Sequence, residues 1–247
     1  QGTSPFVGNP DLKPETSVNS EIALYWSSTD GHDFNVTWFR NDFEDKIENG
    51  EAVASCDVTH GVRPCVNLGD YALLGYGTYS QKINIGKARI NGAELAGRYR
   101  ISDAFALRAN YTFTDSEQLG GIDKGLPLMQ SAKHMANATV DWTATDRFSM
   151  QLIAEARSRR YRGSRDANGD PRYYKDYEVL HLAAQYRFSD AVSLSARINN
   201  LLDQDFTSFQ TVFTQNPASG AYTATYLDDF NNKDKARNLW LSLNIRF

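Results

Sequence analysis

Stretches of strand length in which apolar and polar residues alternate recur along this chain, and they constrain its fold more than any other feature. In the last of them Leu239, Leu241, Leu243 and Ile245 fall on one side, because successive side chains of a strand point to opposite faces. The other side is mostly polar. Counting every stretch with this pattern, the sequence predicts nine strands, near residues 18–26, 34–39, 93–101, 105–113, 136–142, 148–156, 180–188, 192–198 and 239–247.

The connections between these strands are of two kinds. Short turns contain Asp103, Asp146 and Asp190, which follow one another at intervals of 43 and 44 residues. Long polar stretches fill the intervening connections, at about 41–81, 115–133, 158–176 and the thirty or so residues before the last strand. Hairpins with short turns at one end and long loops at the other are typical of an up-and-down transmembrane barrel. A Greek-key sandwich would not separate its loops in this way.

The polar face of the predicted strands is rich in charge. A soluble sandwich could expose such a face to water, but we favour a barrel with a polar lumen and apolar residues toward lipid. Barrels made from one bacterial chain have an even number of strands, so nine predict a piece of a larger barrel. The charged residues assigned to the lumen are Arg98, Arg100, Arg108, Asp141, Glu155, Arg157, Arg187, Arg197 and Arg246.

Composition excludes several other classes of protein. A formal net charge of −4 and a pI near 5.6 argue against nucleic-acid binding, which needs a basic face. Residues 1–5 lack the pattern of a signal peptide, which fits processing or a longer parent chain. The four histidines are scattered, and no catalytic constellation that would indicate an enzyme is seen. Cys56 and Cys65 predict a disulfide across a short surface loop in an oxidising compartment, in preference to a zinc site.

Four motifs, in order along the chain, resemble those of TonB-dependent outer-membrane receptors. The first runs from Gly8 to Thr16 and the second is Asn91-Gly92-Ala93-Glu94, which resembles the Gly-x-Glu strand of that family. The third, Asn199-Asn200-Leu201-Leu202-Asp203-Gln204-Asp205-Phe206, resembles Asn-Leu-Phe-Asp-x-x-Tyr, with Leu202 and Phe206 replacing the usual aromatics. The stretch from Trp240 to Phe247 resembles the terminal strand that the barrel-assembly machinery reads.

The resemblance implies an all-β fold, an antiparallel up-and-down transmembrane barrel of 22 strands around an N-terminal plug. Residues 1–247 would be its C-terminal portion, strands fourteen to twenty-two, with short periplasmic turns and long extracellular loops. The plug and the N-terminal strands are absent from this sequence. The implied location is the Gram-negative outer membrane. The implied partners are lipid and lipopolysaccharide, the barrel-assembly machinery and, through the absent plug, the TonB–ExbB–ExbD complex.

Within that family, residues 36–43 and the following Lys46-Ile47-Glu48 most resemble ferric catecholate receptors of the enterobactin type. The resemblance implies binding of a ferric siderophore by the extracellular loops and TonB-dependent import. Iron would travel as a complex, so no protein-ligated metal and no other cofactor is expected. Haem, cobalamin or another chelate is the alternative cargo, although the Phe-Arg-Ala-Pro loop motif of haem receptors is not seen. A passive porin or adhesin barrel and an outer-membrane enzyme are further alternatives.

A ferric catecholate is bulky, aromatic and anionic, so cationic and aromatic side chains together would suit it. The densest such stretch is residues 157–165, with two tyrosines close by at 173 and 174. Contact with lipopolysaccharide phosphates or with acidic neighbours is the alternative role for these residues, and an aromatic belt is the alternative for the tyrosines of the 71–79 loop. The candidate ligand-binding residues are Arg159, Arg160, Tyr161, Arg162, Arg165, Tyr173, Tyr174, Tyr76 and Tyr79.

Overall fold

The structure is a computed structural model. It describes residues 6–50, 53–54, 56, 78–84, 86–121, 123–166, 168–205, 209–215, 221–228 and 236–246. Among these residues no helix is long and apolar enough to span a membrane. The strands are β1 (Phe6–Val7), β2 (Thr16–Ser27), β3 (Asp33–Glu44), β4 (Ile47–Asn49), β5 (Val53–Ala54), β6 (Thr78–Asn84), β7 (Ala88–Arg100), β8 (Phe105–Gln118), β9 (His134–Thr145), β10 (Phe148–Arg157), β11 (Arg160–Arg165), β12 (Pro171–Tyr174), β13 (Tyr177–Arg187), β14 (Val192–Asn199), β15 (Phe209–Gln215), β16 (Tyr222–Asp228) and β17 (Asn238–Ile245).

Nine of the described strands pair into one sheet, in the order β17-β14-β13-β10-β9-β8-β7-β3-β2. Each strand therefore lies beside its neighbours along the chain, once the short strands inside the long connections are set aside. The ladders from β8 to β17 are antiparallel. This order confirms the nine predicted strands and their up-and-down arrangement.

The long connections are more ordered than the sequence predicts. Stretches interpreted as polar loops contain β4, β5 and β6 in the first, β11 and β12 in the third, and β15 and β16 in the last. These stretches are still the long connections between strands of the main sheet, and short antiparallel pairings within them satisfy their backbone groups locally. β3, β7 and β8 also extend several residues farther than their apolar alternation indicates.

The registers align one row of apolar side chains across six strands. Each member of the row pairs directly with the next, and Leu152, near the middle, is 39% exposed. The buried apolar residues of the described chain lie elsewhere, so the row is not part of a core. An uncovered apolar row across a whole sheet is what contact with hydrocarbon requires. The row consists of Leu107, Val140, Leu152, Leu182, Ile198 and Leu239.

The opposite face of the same strands is polar and internally hydrogen-bonded. The Arg108 guanidinium donates to both carboxylate oxygens of Asp141, at 2.8 Å each, and Gln151 Nε2 donates to Asp141 Oδ1 at 2.8 Å. On the same two strands as Arg108 and Asp141, Asn137 Nδ2 donates to Asn110 Oδ1 at 2.9 Å. These contacts place the charged residues on the side predicted to be the lumen.

Aromatic side chains cluster toward the short turns. Phe105 stacks on Trp142 with ring centroids 5.8 Å apart, and Trp142 meets the edge of Phe148 at 6.1 Å. Tyr186 and Phe188 meet edge to face at 4.9 Å. Such a belt matches the aromatic girdle at the interface of a membrane barrel.

The chain divides into two compact units. One comprises Gln1–Asn19, Asn41–Arg89 and Glu117–Gly125, and the other comprises Ser20–Arg40, Ile90–Ser116 and Leu126–Phe247. The second contains both faces analysed above.

Residues of the N-terminal motif form hydrogen bonds with β4 and β6 within the first unit. Asn84 donates its side-chain amide to the Lys13 carbonyl at 3.0 Å and accepts from the Lys13 backbone N–H at 2.9 Å. The Glu15 carboxylate accepts from the backbone N–H of Ile47 at 2.9 Å and lies 3.5 Å from Lys46 Nζ. The Glu15 side chain therefore ties the start of β2 to β4.

The two faces predict opposite responses to an added charge. We expect Leu182→Arg to destabilise the folded barrel by about 2–4 kcal/mol, the cost of a cation near the bilayer midplane. The neighbouring Ala183→Arg, on the polar face, should cost much less. Urea unfolding of both receptor variants in lipid vesicles measures the difference, and equal losses would show that the faces are assigned wrongly.

Gly92 predicts a steric effect on folding. A Cβ at this position would overlap the Phe39 ring and come within 2.5 Å of the Phe113 carbonyl oxygen. We expect Gly92→Ala to destabilise the barrel by about 1–3 kcal/mol, as overpacking does. Gly8→Ala is the control, since a Cβ there meets nothing within 4 Å. Urea unfolding in vesicles serves as the measurement, and a Gly92→Ala barrel as stable as the control would contradict the packing described.

Candidate ligand-binding hairpin

The predicted arginine-rich stretch forms an antiparallel hairpin of β11 and β12. Arg160 pairs with Tyr174 and Tyr161 pairs with Tyr173 across the hairpin. The pairing register then shifts before Arg165, which pairs with Pro171. The hairpin therefore brings together the two parts of the predicted site, residues 159–165 and residues 173–174.

Three guanidinium groups of this hairpin lie over tyrosine rings. The distances from guanidinium carbon to ring centroid are 4.5 Å for Arg159 over Tyr173, 5.2 Å for Arg160 over Tyr174 and 5.2 Å for Arg162 over Tyr174. Each is within the range of a cation–π interaction. These contacts hold positive charges close together on one small surface.

Burial divides the candidate residues into two groups. Tyr161, Arg160 and Tyr174 are only 1%, 7% and 8% exposed. Arg159 is exposed, and Arg162 and Tyr173 are partly exposed. The buried residues therefore position the hairpin, whereas the others lie wholly or partly at its surface.

The buried side of the hairpin rests on the segment that precedes β9. The Tyr161 carbonyl accepts a hydrogen bond from the Gln130 backbone N–H at 2.9 Å, and Ala132 forms an isolated bridge with Arg160. Gly163 has a φ of +71°, and a Cβ there would lie 2.6 Å from Met129 Sδ. A glycine is therefore required both by the backbone conformation and by the close approach of Met129.

The tip of the hairpin is closed by its own polar groups. The Asp166 carboxylate accepts from the backbone N–H groups of Asn168 and Asp170, at 2.9 Å each. Arg165 Nη1 donates to the Gly169 carbonyl at 3.0 Å. This contact gives Arg165 a structural role at the tip, in addition to the ligand contact predicted for it.

Burial lowers the pKa of the Arg160 guanidinium from its ordinary value, and the nearby Arg157 lowers it further, while Tyr177 and Tyr174 act in the opposite direction. Arginine remains protonated at physiological pH despite such a change. The site therefore keeps its positive charge across the physiological range.

A cavity of about 440 Å³ lies at the base of the hairpin, between the ends of β9, β10 and β13. Its lining includes Arg157 but also the carboxylates of Asp176 and Glu178. Two carboxylates oppose an anionic ligand. The exposed arginine surface above it therefore suits such a ligand better than the cavity does.

A polar network next to the hairpin was not found from the sequence. The Asn200 backbone N–H donates to His181 Nδ1 at 3.2 Å, and the Asn200 side chain bonds to both the N–H and the carbonyl of Gln204. His181 Nε2 lies 3.7 Å from a Glu155 oxygen. Asn200 has a φ of +49°, a left-handed conformation that asparagine tolerates. The Asn199–Phe206 motif was the available signal for this turn.

Some predicted residues cannot be placed. Tyr76 and Cys65 lie outside the described residues, and for Tyr79 only the backbone, in β6, is described. Ligand contact by the two tyrosines and the disulfide of Cys56 with Cys65 therefore stay predictions. The described residues contain no group of three or more His, Cys, Asp and Glu side chains placed to hold a metal ion.

The sequence matches the family described as TonB dependent receptor-like, beta-barrel, over residues 1–201. The chain belongs to this family of transport receptors. Membership confirms the predicted fold class and the predicted location in the outer membrane of Gram-negative bacteria.

The chain is similar to outer-membrane proteins whose names refer to iron regulation, ferric enterobactin or vitamin B12. The iron-regulated outer membrane virulence protein of Vibrio cholerae is 30% identical over 100% of this chain and 33% of its own length. The ferric enterobactin receptor of Pseudomonas aeruginosa is 31% identical over 83% of this chain and 26% of its own. A crystal structure of a mutant of that receptor in complex with enterobactin has a TM-score of 0.64 and 25% identity, over 97% of this chain and 32% of the other. The vitamin B12 transporter of Photobacterium profundum is 29% identical over 90% of this chain and 32% of its own length. The chain thus spans between a quarter and a third of the length of these relatives.

The burial pattern predicts that Tyr161 holds the hairpin in place. We expect Tyr161→Ala to remove a packed ring at a cost of about 3–5 kcal/mol, which would open the hairpin locally. Amide hydrogen exchange of residues 160–174 in the intact receptor measures this opening. Tyr173→Ala, at the partly exposed partner, is the control and should have a smaller effect. Equal protection in the two variants would contradict the anchoring role.

Proposed function

We propose that the receptor containing this chain binds a ferric catecholate siderophore at its long-loop end and imports it across the outer membrane. The observation that supports this proposal best is the hairpin, where Arg159 lies over the Tyr173 ring and Arg162 over the Tyr174 ring, so that positive charge and aromatic rings occur together. A ferric catecholate combines negative charge with aromatic rings, so both of its features meet a partner there.

Membership in the family and the enterobactin-bound relative support the same cargo class. Energy for import would come from the inner membrane through TonB, with ExbB and ExbD, acting on a plug outside this chain. Lipid and lipopolysaccharide would surround the barrel, and the barrel-assembly machinery would read its terminal strand. The iron is cargo, so the receptor needs neither a metal ligand set nor a cofactor, and it carries out no chemical conversion.

Cobalamin is the second candidate cargo, because a vitamin B12 transporter is among the relatives. A corrinoid lacks the clustered negative charge of a ferric catecholate, and so it would make less use of the five arginines between residues 157 and 165. Competition between cyanocobalamin and a ferric catecholate for the purified receptor distinguishes the two.

The proposal predicts which arginines affect affinity. We expect Arg159→Ala and Arg162→Ala each to weaken ferric catecholate binding by about 1 kcal/mol, roughly fivefold, through the loss of one cation near the ligand. The measurement is equilibrium binding to the full-length receptor at two salt concentrations, since the electrostatic part weakens with salt.

Arg187→Ala is the matched control for these variants. Arg187 lies at the short-turn end of β13, where its Nη2 donates to the Asp146 carbonyl at 2.6 Å. Its removal changes the net charge by the same amount, yet it should leave affinity unchanged. Undiminished binding by both hairpin variants would refute the site, and a receptor that binds only cyanocobalamin would refute the cargo.

A further inference from the structure

A tight turn lies beside the arginine hairpin, in the long connection between β8 and β9. The Ser131 backbone N–H donates to the Leu128 carbonyl at 3.2 Å, which closes a β-turn with Met129 and Gln130 as its central residues. β8 and β9 lie inside the nine-stranded sheet, between β7 and β10. The turn therefore stands over the middle of the sheet and not over one of its edges.

Both ends of this turn are buried and held in place. Leu128 is buried, and its backbone N–H donates to the Ser116 hydroxyl of β8 at 3.2 Å. Directly after the turn, Ala132 is buried and forms a bridge with Arg160 of the hairpin. These contacts attach the turn to β8 on one side and to the hairpin on the other.

The centre of the turn is exposed and its backbone is strained. Gln130 is exposed and has a φ of +64°, in the left-handed region. The other non-glycine residues with positive φ in the described part of the chain are of types that tolerate it, namely Asp45, Asn200 and Asp203. A turn with positive φ at its third residue favours glycine there. Glutamine at this position keeps a strain that glycine would relieve, which indicates a function for its side chain.

Two contacts place Gln130 beside the hairpin. Its backbone N–H donates to the Tyr161 carbonyl at 2.9 Å. The preceding side chain, Met129, lies so close to Gly163 that a Cβ there would be 2.6 Å from the Met129 sulfur. Arg162 is the residue between these two points of contact, so the turn is adjacent to one of the arginines assigned to cargo binding.

An amide side chain suits an anionic ligand in a different way from a guanidinium group. The glutamine NH₂ group can donate two hydrogen bonds, and it carries no charge. The negatively charged oxygens of a ligand are strong acceptors, and a hydrogen bond to a charged group is stronger than one between neutral groups. Glutamine next to Arg162 would therefore add directional contacts without adding charge.

We propose that Gln130 is a cargo-binding residue, whose side-chain amide donates hydrogen bonds to the negatively charged oxygens of the ligand beside Arg162. This role rests on the proposed function for the class of cargo. It makes the β8–β9 connection a second part of the binding surface, and it explains the strained backbone of Gln130 by the placement of the amide.

Replacement of Gln130 by glycine separates binding from stability. The full-length Gln130→Gly receptor should resist urea in vesicles about as well as the parent, because relief of the left-handed backbone offsets the greater freedom of unfolded glycine. Its affinity for ferric enterobactin, the probe ligand, should fall about tenfold, the effect of one hydrogen bond to a charged group. No charge is removed, so the loss should be nearly equal at two salt concentrations, in contrast to the loss in Arg162→Ala.

Replacement of Gln130 by glutamate tests the charge of the ligand. Gln130→Glu keeps the size of the side chain and the backbone strain, but it places a negative charge next to an anionic cargo. We expect it to weaken binding more than Gln130→Gly does, with the additional loss decreasing as salt is raised. Arg187→Gln, at the short-turn end of β13, lowers the net charge by the same amount and is the matched control, with unaltered affinity expected.

The outcomes distinguish this role from the proposed function. If neither Gln130 variant changes the affinity while Arg159→Ala weakens it, the role of Gln130 is refuted and the proposed function stands. If Gln130→Gly loses stability together with affinity, the side chain serves packing within the receptor. A loss confined to Gln130→Glu would show a nearby ligand without the hydrogen bond, which also contradicts the role. A parent receptor that binds no ferric catecholate would overturn the proposed function and this inference with it.

Discussion

The register between neighbouring strands is the constraint on which the rest of this structure depends. Because side chains alternate between faces, a slip of one residue would move Arg108 and Asp141 into hydrocarbon and the row containing Leu182 into the lumen. Charge at that depth costs several kcal/mol per residue, so the sheet strongly favours a single alignment. The bidentate pair of Arg108 and Asp141, on adjacent strands, stabilises the same alignment from the polar side.

The candidate ligand site follows from that alignment. The last residue of β10, Arg157, pairs with the first residue of β13, Tyr177, so the chain between them must leave and return at one point of the sheet. Within this long connection the hairpin of β11 and β12 buries the side chains of Tyr161 and Tyr174. A flexible loop would spread its arginines, whereas this anchored hairpin holds three of them against two rings. The order of the site therefore depends on the strands beneath it.

The sequence was sufficient for the sheet but not for the details of the long connections. Period-two alternation and the turns at Asp103, Asp146 and Asp190 predict the strands, because burial in lipid leaves a strict pattern. No such pattern exists where side chains face water and one another. Arg160 and Tyr161 are adjacent yet both buried, because the segment at residues 128–132 covers them in addition to β12. Alternation alone would have assigned them to opposite environments.

Arginine and tyrosine have two roles within the hairpin. The guanidinium groups of Arg159, Arg160 and Arg162 lie over the rings of Tyr173 and Tyr174, so part of each ring face is already occupied by protein. Arg160 and Tyr174 are buried, so their contact contributes mainly to the stability of the hairpin. Arg159 is exposed and Tyr173 is partly exposed, so the same kind of contact lies at the surface there. One pair of residue types can thus hold the hairpin together on its buried side and provide the charge of the proposed site on its exposed side.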